Sequence, residues 1–448
     1  MKGERPEGTI NNLLRHARNL GDDRMVVNAG RLKANAIFTA SNLLIGMSLI
    51  WSCRRPVFIM NVGIFVQVKI LAAHYKTGKV REFIFRDGRL VSGRSSRAGA
   101  RLLYGPGFFD IQCNGFAGID FNHPDFSVEG LRTAVRAMWR YGTTHVMPTI
   151  VTGDLARMTA GMKTIAAACR MFPEIRASVP GIHQEGPFFA NVEGVRGAHP
   201  PDKIIPPRLS HFGELQRAAD GMIRMITLAP EIKGANAFIR TLSRRGVVVA
   251  IGHTNATPSE ITDAVNAGAR TSTHLGNGSA QILPRHHNYI LAQLGEDRLY
   301  SSFIADGHHL PSFVLRSFFR AKPPEKRILT TDCMAGAGAP PGRYTIGWLV
   351  VEVGRNKLVR QPGKPNFAGS AITMTEGVAN AVRLGGATLR EAWDMSSVHP
   401  WNLMRGSALM PPPRVDDTFI IAGHHRSRLE IRATIMGGRL VYPVRPGS

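Results

Sequence analysis

Acid is scarce in this chain: 32 Asp and Glu face 56 Lys and Arg, a net charge of +24 over 448 residues. Cysteine is scarcer, with only Cys53, Cys113, Cys169 and Cys333, widely spaced and in no CxxC pair. This excludes a disulfide-stapled framework and points to a reducing compartment, so a cytoplasmic protein is expected. No fixed-period repeat or low-complexity tract is present, and no aromatic-interleaved basic run accompanies the positive charge. Residues 1–101 carry 18 Lys/Arg against 6 Asp/Glu, a net of +12, so half the excess lies in less than a quarter of the chain. A nucleic-acid partner is therefore not expected, and an arginine-rich compositional bias accounts for the charge.

Long apolar runs are also missing, with one partial exception. Residues 34–53 contain no charge and precede Arg54-Arg55, which reads as a membrane anchor. Thr, Ser and Asn dilute that stretch, and the basic leader is long for a signal peptide. The preferred reading is that translation begins downstream, so residues 1–64 form an uncertain N-terminal extension and a membrane location is not expected.

Against these absences, 47 Gly, 28 Pro and 44% apolar residues describe a loop-rich globular chain. From Phe65, short strand-like runs alternate with turns: Val66–Leu71, Val80–Arg86, then Asp87-Gly88. Leu429–Met436 followed by Gly437-Gly438 repeats that texture near the C-terminus. The expectation is a small β-sandwich domain built from 65–104 and 405–448. Between them, 105–404 alternates strand candidates with helical stretches such as Val128–Tyr141 and Asp154–Met171, which predicts a (β/α)8 TIM barrel. A strand-rich stretch, Tyr344–Val359, is read as an excursion from it.

Two histidines locate the chemistry. His253 and His274 each end an apolar, β-branched run, and Thr257-Pro-Ser-Glu260 between them supplies an N-cap, a proline at the first helical position and a capping-box glutamate. Residues 253–274 thus read as strand, helix, strand, with both imidazoles on one rim where a parallel barrel builds its sites. Glu185, in Gly181-Ile-His-Gln-Glu-Gly-Pro187, is the natural third ligand. Two imidazoles and a carboxylate leave a coordination position open, as catalytic metal sites do. Asp332 closes another such run, Arg327-Ile-Leu-Thr-Thr-Asp332. It reads either as a general base facing the metal or as a helix N-cap.

Seven motifs then occur in order: Pro106–Gly115, His183–Pro187, Gly252–Thr257, Thr273–Leu275, Ala305–His309, Thr331-Asp332 and Ala368–Ser370. Together they resemble the N-acetylglucosamine-6-phosphate deacetylase family of the amidohydrolase superfamily, over about residues 75–445. The resemblance implies a hydrolase that removes acetate from N-acetyl-D-glucosamine 6-phosphate in amino-sugar catabolism, acting as a homodimer. Many amidohydrolases end the first strand in His-x-His, which holds a second ion. Here Gln112 and Asn114 stand there, and neutral amides are poor ligands, so one divalent ion, zinc or alternatively iron, is expected. The resemblance further implies that His199 hydrogen-bonds the acetamido carbonyl and that Gln112, Asn277, Gly278, Arg285 and His309 meet the phosphorylated sugar. The segment after His274 departs from the family pattern, reading Leu-Gly-Asn-Gly-Ser279 and then Pro284-Arg-His-His-Asn288. Another N-acetyl sugar phosphate, or a cyclic or acyl amide, is the alternative substrate. A non-catalytic barrel is the alternative of another class, against which the joint presence of Glu185, His253, His274 and Asp332 argues.

Overall fold

The computed structural model describes residues 67–364, 367–405, 416–425 and 428–442. The expected extension over 1–64, with its uncharged run at 34–53, lies outside them. The described residues from Lys69 onward form one compact unit. Among the described residues no helix is long and apolar enough to cross a membrane.

Eight parallel strands follow one another around a ring: Phe108–Cys113, Thr143–Val151, Ile182–Glu185, Ile223–Leu228, Val248–Ile251, Ala269–Ser272, Tyr300–Ile304 and Arg327–Thr330. The ring closes where the first strand meets the eighth. There Asp332 N donates to Gln112 O at 3.1 Å and Asn114 N donates to Cys333 O at 2.7 Å, with a parallel bridge between Cys113 and Cys333. Strand periodicity sorts the core into two layers. Val248 and Ala250 point inward to a cluster with Phe109, Ile111, Met147, Met225 and Ile328, while Val249 and Ile251 face the helices. The helix Val398–Met404 plugs the N-terminal end of the barrel through Trp401, Leu403 and Met404.

The outer helices carry apolar residues at the matching period. In Ala235–Arg244 the buried residues are Ala235, Phe238, Ile239 and Leu242, spaced i, i+3, i+4 and i+7. Each large side chain so buried stabilises the layer by roughly 1.5–3 kcal/mol. The helix Pro258–Ala267 has the capping box read from the sequence, Thr257 with Glu260, and ends at Gly268 in the left-handed region at φ 118°.

Strands from both chain ends form a second, smaller sheet. Gln67–His74, Val80–Arg86, Arg89–Ser95, Arg439–Tyr442, Arg428–Met436, Phe419–His425 and Leu102–Pro106 hydrogen-bond in one circuit. Its hairpins turn at Asp87-Gly88 and Gly437-Gly438, with φ positive at both residues of each pair, the two-residue turn that matches strand twist. Tyr75 stacks on Trp393 at 4.9 Å, and Trp393 Nε1 donates to Pro106 O at 2.9 Å, which seats this sheet on the barrel. The excursion after the eighth strand is a three-stranded antiparallel sheet of Gly342–Ile346, Leu349–Val353 and Val359–Arg360. Asp120 anchors it by accepting from Thr345 Oγ1 at 2.9 Å and Gly347 N at 2.7 Å.

His145 packs edge-on against Trp401 at the closed end of the barrel, and burial lowers its pKa from 6.5 to about 3. The unfolded chain therefore binds a proton between those values that the folded chain refuses, and stability falls as pH drops below 6.5. One such group contributes up to about 1.4 kcal/mol per pH unit. Chemical denaturation from pH 7 to pH 4 is expected to show this acid limb, and His145→Gln is expected to make it shallower by one proton's slope.

Candidate active site

The sequence places four chemically competent side chains at or just beyond strand ends, and the barrel brings them to one mouth. Glu185 is the last residue of its strand. His253, His274 and Asp332 each stand two residues past theirs. All three adopt left-handed backbone, with φ of 51°, 30° and 47°. Non-glycine residues rarely do so, and strain of this kind collects at functional sites, where surrounding structure must hold it. Here the turn after each strand swings the side chain inward over the barrel axis.

Glu185 Oε1 is the hub. His274 Nε2 lies 3.1 Å from it, His253 Nε2 3.5 Å, and Gln112 Nε2 donates to it at 2.8 Å. His199 joins the group, its Nε2 3.2 Å from His253 Nε2, and Glu185, His199 and His253 offer donor atoms all within 4.8 Å of one another. The tautomer of His253 follows from its other nitrogen. Nδ1 is 3.0 Å from Val195 O and must carry the proton, so Nε2 presents a lone pair to Glu185 and His199. An imidazole lone pair beside a carboxylate, with two further imidazoles in reach, is a donor set that suits a divalent cation of the zinc type. The cluster thus fits a metal, with His199 closer to it than its expected role as a substrate donor required.

On the opposite side of the mouth Asn114 Nδ2 donates to Asp332 Oδ1 at 2.8 Å. The two amides at the first strand's end therefore each hold one carboxylate, Gln112 on Glu185 and Asn114 on Asp332. An amide N–H is a hydrogen-bond donor and no ligand, so these two residues orient the carboxylates without ligating a cation through those nitrogens. Gln112 Oε1, Asn114 Oδ1 and His274 Nδ1 are buried and without a protein partner among the described residues.

Burial sets the electrostatics. It pushes Asp332 up to about 7, with Glu185 adding to the shift and His274 and the Asn114 amide opposing it. Glu185 would be raised by burial too, but the imidazoles of His253 and His274 facing it hold it well below the usual carboxylate range. His199 is lowered to about 3 by burial and by His253, and burial also lowers His253. In His274 the pull of Glu185 and Asp332 outweighs burial and raises it. Two buried carboxylates at one barrel mouth thus have opposed proton affinities, the pattern that separates a ligand from a proton carrier.

The remaining sequence-predicted residues are distributed unevenly. Asn277 donates through Nδ2 to His274 O at 3.0 Å, and Gly278 lies against the His253 ring. His309 is held by Asp306, whose Oδ2 is 2.6 Å from His309 Nδ1 and whose Oδ1 accepts the backbone N–H groups of His308 and His309. His308 instead turns away to Asn356 O at 3.0 Å. Arg285 is exposed, and among the described residues no hydrogen bond or ion pair ties it to the cluster.

Sequence reading overlooked three supporting acids. Asp110, buried in the first strand, accepts from Thr330 Oγ1 at 2.8 Å and from Thr331 through both N and Oγ1, fastening the approach to Asp332. Glu231 accepts from Thr254 Oγ1 and Asn255 N, each at 2.5 Å, steadying the turn that carries His253. Asp306 does the same for His309. Each acts through a partner 3 to 221 residues away in sequence. The one available signal was that Asp110 and Asp306 sit inside motifs already singled out.

No family model matches the chain. It is 33% identical over 327 residues to N-acetylglucosamine-6-phosphate deacetylase of Danio rerio, covering 67% of this chain and 75% of that protein. The chain belongs to the N-acetylglucosamine-6-phosphate deacetylase family. It is also 31% identical to N-acetylgalactosamine-6-phosphate deacetylase of Escherichia coli O157:H7, over 74% of this chain and 86% of that one. Among solved structures it resembles a variant of the N-acetyl-D-glucosamine-6-phosphate deacetylase of Mycobacterium smegmatis in complex with N-acetyl-D-glucosamine-6-phosphate. That match has a TM-score of 0.70 at 27% identity and covers 83% of this chain and 99% of the other.

Gly278 has φ 56°, and a Cβ there would lie 2.5 Å from His253 Nδ1 and 3.2 Å from Val195 O. Gly278→Ala is expected to displace the His253 ring and cost about 1–3 kcal/mol, measured by denaturant unfolding.

Proposed function

We propose that this protein removes the acetyl group of N-acetyl-D-glucosamine 6-phosphate, giving acetate and glucosamine 6-phosphate, as a step of cytoplasmic amino-sugar catabolism. The observation that carries this reading is Glu185 drawn by imidazoles to one side of the barrel mouth, with a carboxylate of opposite proton affinity, Asp332, on the other. Family membership directs that site to an N-acetylated sugar phosphate.

In this reading Glu185, His253 and His274 hold one divalent ion, zinc or alternatively iron. When bound, such an ion acidifies a water toward neutral pH and polarises the amide carbonyl. Asp332 receives the proton of the attacking water, because burial has raised its affinity for one, and returns it to the nitrogen as the C–N bond breaks. Asn114 keeps Asp332 aimed by donating to the oxygen that does not take the proton. His199 reaches the carbonyl oxygen from the side of His253 and stabilises the charge that develops there. Gln112 offers its free Oε1 to the acetamido group, while Asn277, Gly278, Arg285 and His309 meet the sugar and its phosphate. For Arg285 this needs the exposed loop to fold over substrate, where a guanidinium suits a phosphate. A homodimer that binds no nucleic acid completes the reading.

The similarity to an N-acetylgalactosamine-6-phosphate deacetylase and the departures at Gly276, Gly278 and 284–288 favour a second reading, the galacto epimer as preferred substrate. Acetate release from the two epimers decides between them. A higher kcat/KM for the gluco compound is expected, and the reverse order would assign the galacto one.

Elemental analysis is expected to find one divalent ion per chain. Asp332→Asn is expected to keep that ion while lowering kcat by about 10²–10⁴-fold. Near-normal turnover of Asp332→Asn with the ion retained would remove Asp332 from the proton pathway.

A further inference from the structure

The seam that closes the barrel holds a pair of thiols that the reaction does not use. Cys113 and Cys333 are 0% and 1% exposed, and their sulfurs lie 3.4 Å apart. They face each other across neighbouring parallel strands as a bridged pair. Strands in a sheet run about 4.7–4.9 Å apart, inside the Cα separation of about 4.4–6.8 Å that a disulfide tolerates. Side-chain rotation is then enough to bring the sulfurs to bonding distance, about 2.05 Å. Both side chains belong to the apolar layer between barrel and helices, in the same buried cluster as Phe116 and Val146. Neither is spent on a competing bond stronger than a long contact to Gly115 O, at 3.5 and 3.4 Å.

We propose that Cys113 and Cys333 are a redox-modification site, at which a small peroxide converts the thiol pair into a disulfide that latches the first barrel strand to the eighth. Hydrogen peroxide is of water size and suits an enclosed layer. One sulfur attacks peroxide oxygen, the O–O bond breaks, and a sulfenic acid and one water result. The second sulfur attacks the sulfenic sulfur, the S–S bond forms as the S–O bond breaks, and its proton leaves with that oxygen as a second water. Two thiols are oxidised by two electrons in all and one peroxide is reduced to two waters. Burial raises the Cys113 thiol well above its usual range, so the first step is slow and is followed over hours. The second needs no diffusion, because the partner is already in contact.

The latch falls where the active site is assembled. Cys113 lies between Gln112 and Asn114, which hold Glu185 and Asp332, and Cys333 directly follows Asp332. It ties residues 220 apart in sequence, a closure that costs the unfolded chain far more freedom than the folded one. The proposal does not depend on which substrate the site takes.

The test uses the full chain, reduced and then exposed to hydrogen peroxide before thiol blocking. Peptide mapping without reduction is expected to yield a Cys113–Cys333 cross-linked pair two hydrogens lighter than its parts. The thermal midpoint is expected to rise by about 3–5 °C and to return on treatment with dithiothreitol. Cys169→Ala is expected to keep that rise, and Cys113→Ser and Cys333→Ser each to lose it. The map of the unsubstituted protein stands even if a serine variant folds poorly. Complete blocking of both thiols after peroxide, oxidation to sulfinic acids without a cross-link, or a cross-link with no rise in midpoint would each overturn the proposal.

Discussion

Closure of the eight-stranded ring is the constraint on which everything else rests. Two hydrogen bonds across the seam, Asp332 N to Gln112 O and Asn114 N to Cys333 O, join the ends of a sheet whose other neighbours are consecutive in sequence. Without that closure Asp332 would lie at one edge of an open sheet and Gln112 and Asn114 at the other. With it, the Asn114 amide reaches Asp332 and the Gln112 amide reaches Glu185. Asp110 reinforces the same seam from beneath through Thr330 and Thr331.

Once the ring is closed, a repeated backbone device supplies the chemistry. His253, His274 and Asp332 take left-handed conformations just past their strands, which turns polar side chains inward over the axis. Their surroundings exclude water, so small differences in partners have large effects on proton affinity. Glu185 keeps its charge because imidazoles face it, whereas Asp332, facing an amide and a neighbouring carboxylate, is pushed up to about 7. One rim thereby holds a permanent anion and a carboxyl group able to carry a proton at neutral pH.

Much of this was legible in the sequence where the signal is local. The helix between His253 and His274 has its capping box and glycine stop because these depend on residues three or four positions apart. The Asp-Gly and Gly-Gly turns were readable for the same reason. The strand Phe419–His425 was not singled out, since a short apolar run has no periodicity to tell a strand from a buried helical turn. His199 was assigned from the family resemblance, yet no spacing rule places it within ligand distance of His253, 54 positions away.

By itself the sequence determined the alternating βα pattern, the strand-end positions of Glu185, His253, His274 and Asp332, and the two amides, Gln112 and Asn114, near the end of the first strand. These are properties of periodicity and of residue chemistry, and they survive without coordinates. Tertiary structure alone decided which nitrogen of His253 is free, which amide holds which carboxylate, and that Cys113 and Cys333 touch. Such contacts are made across a closed ring between residues as far as 220 positions apart, and chain order carries no measure of distance through space.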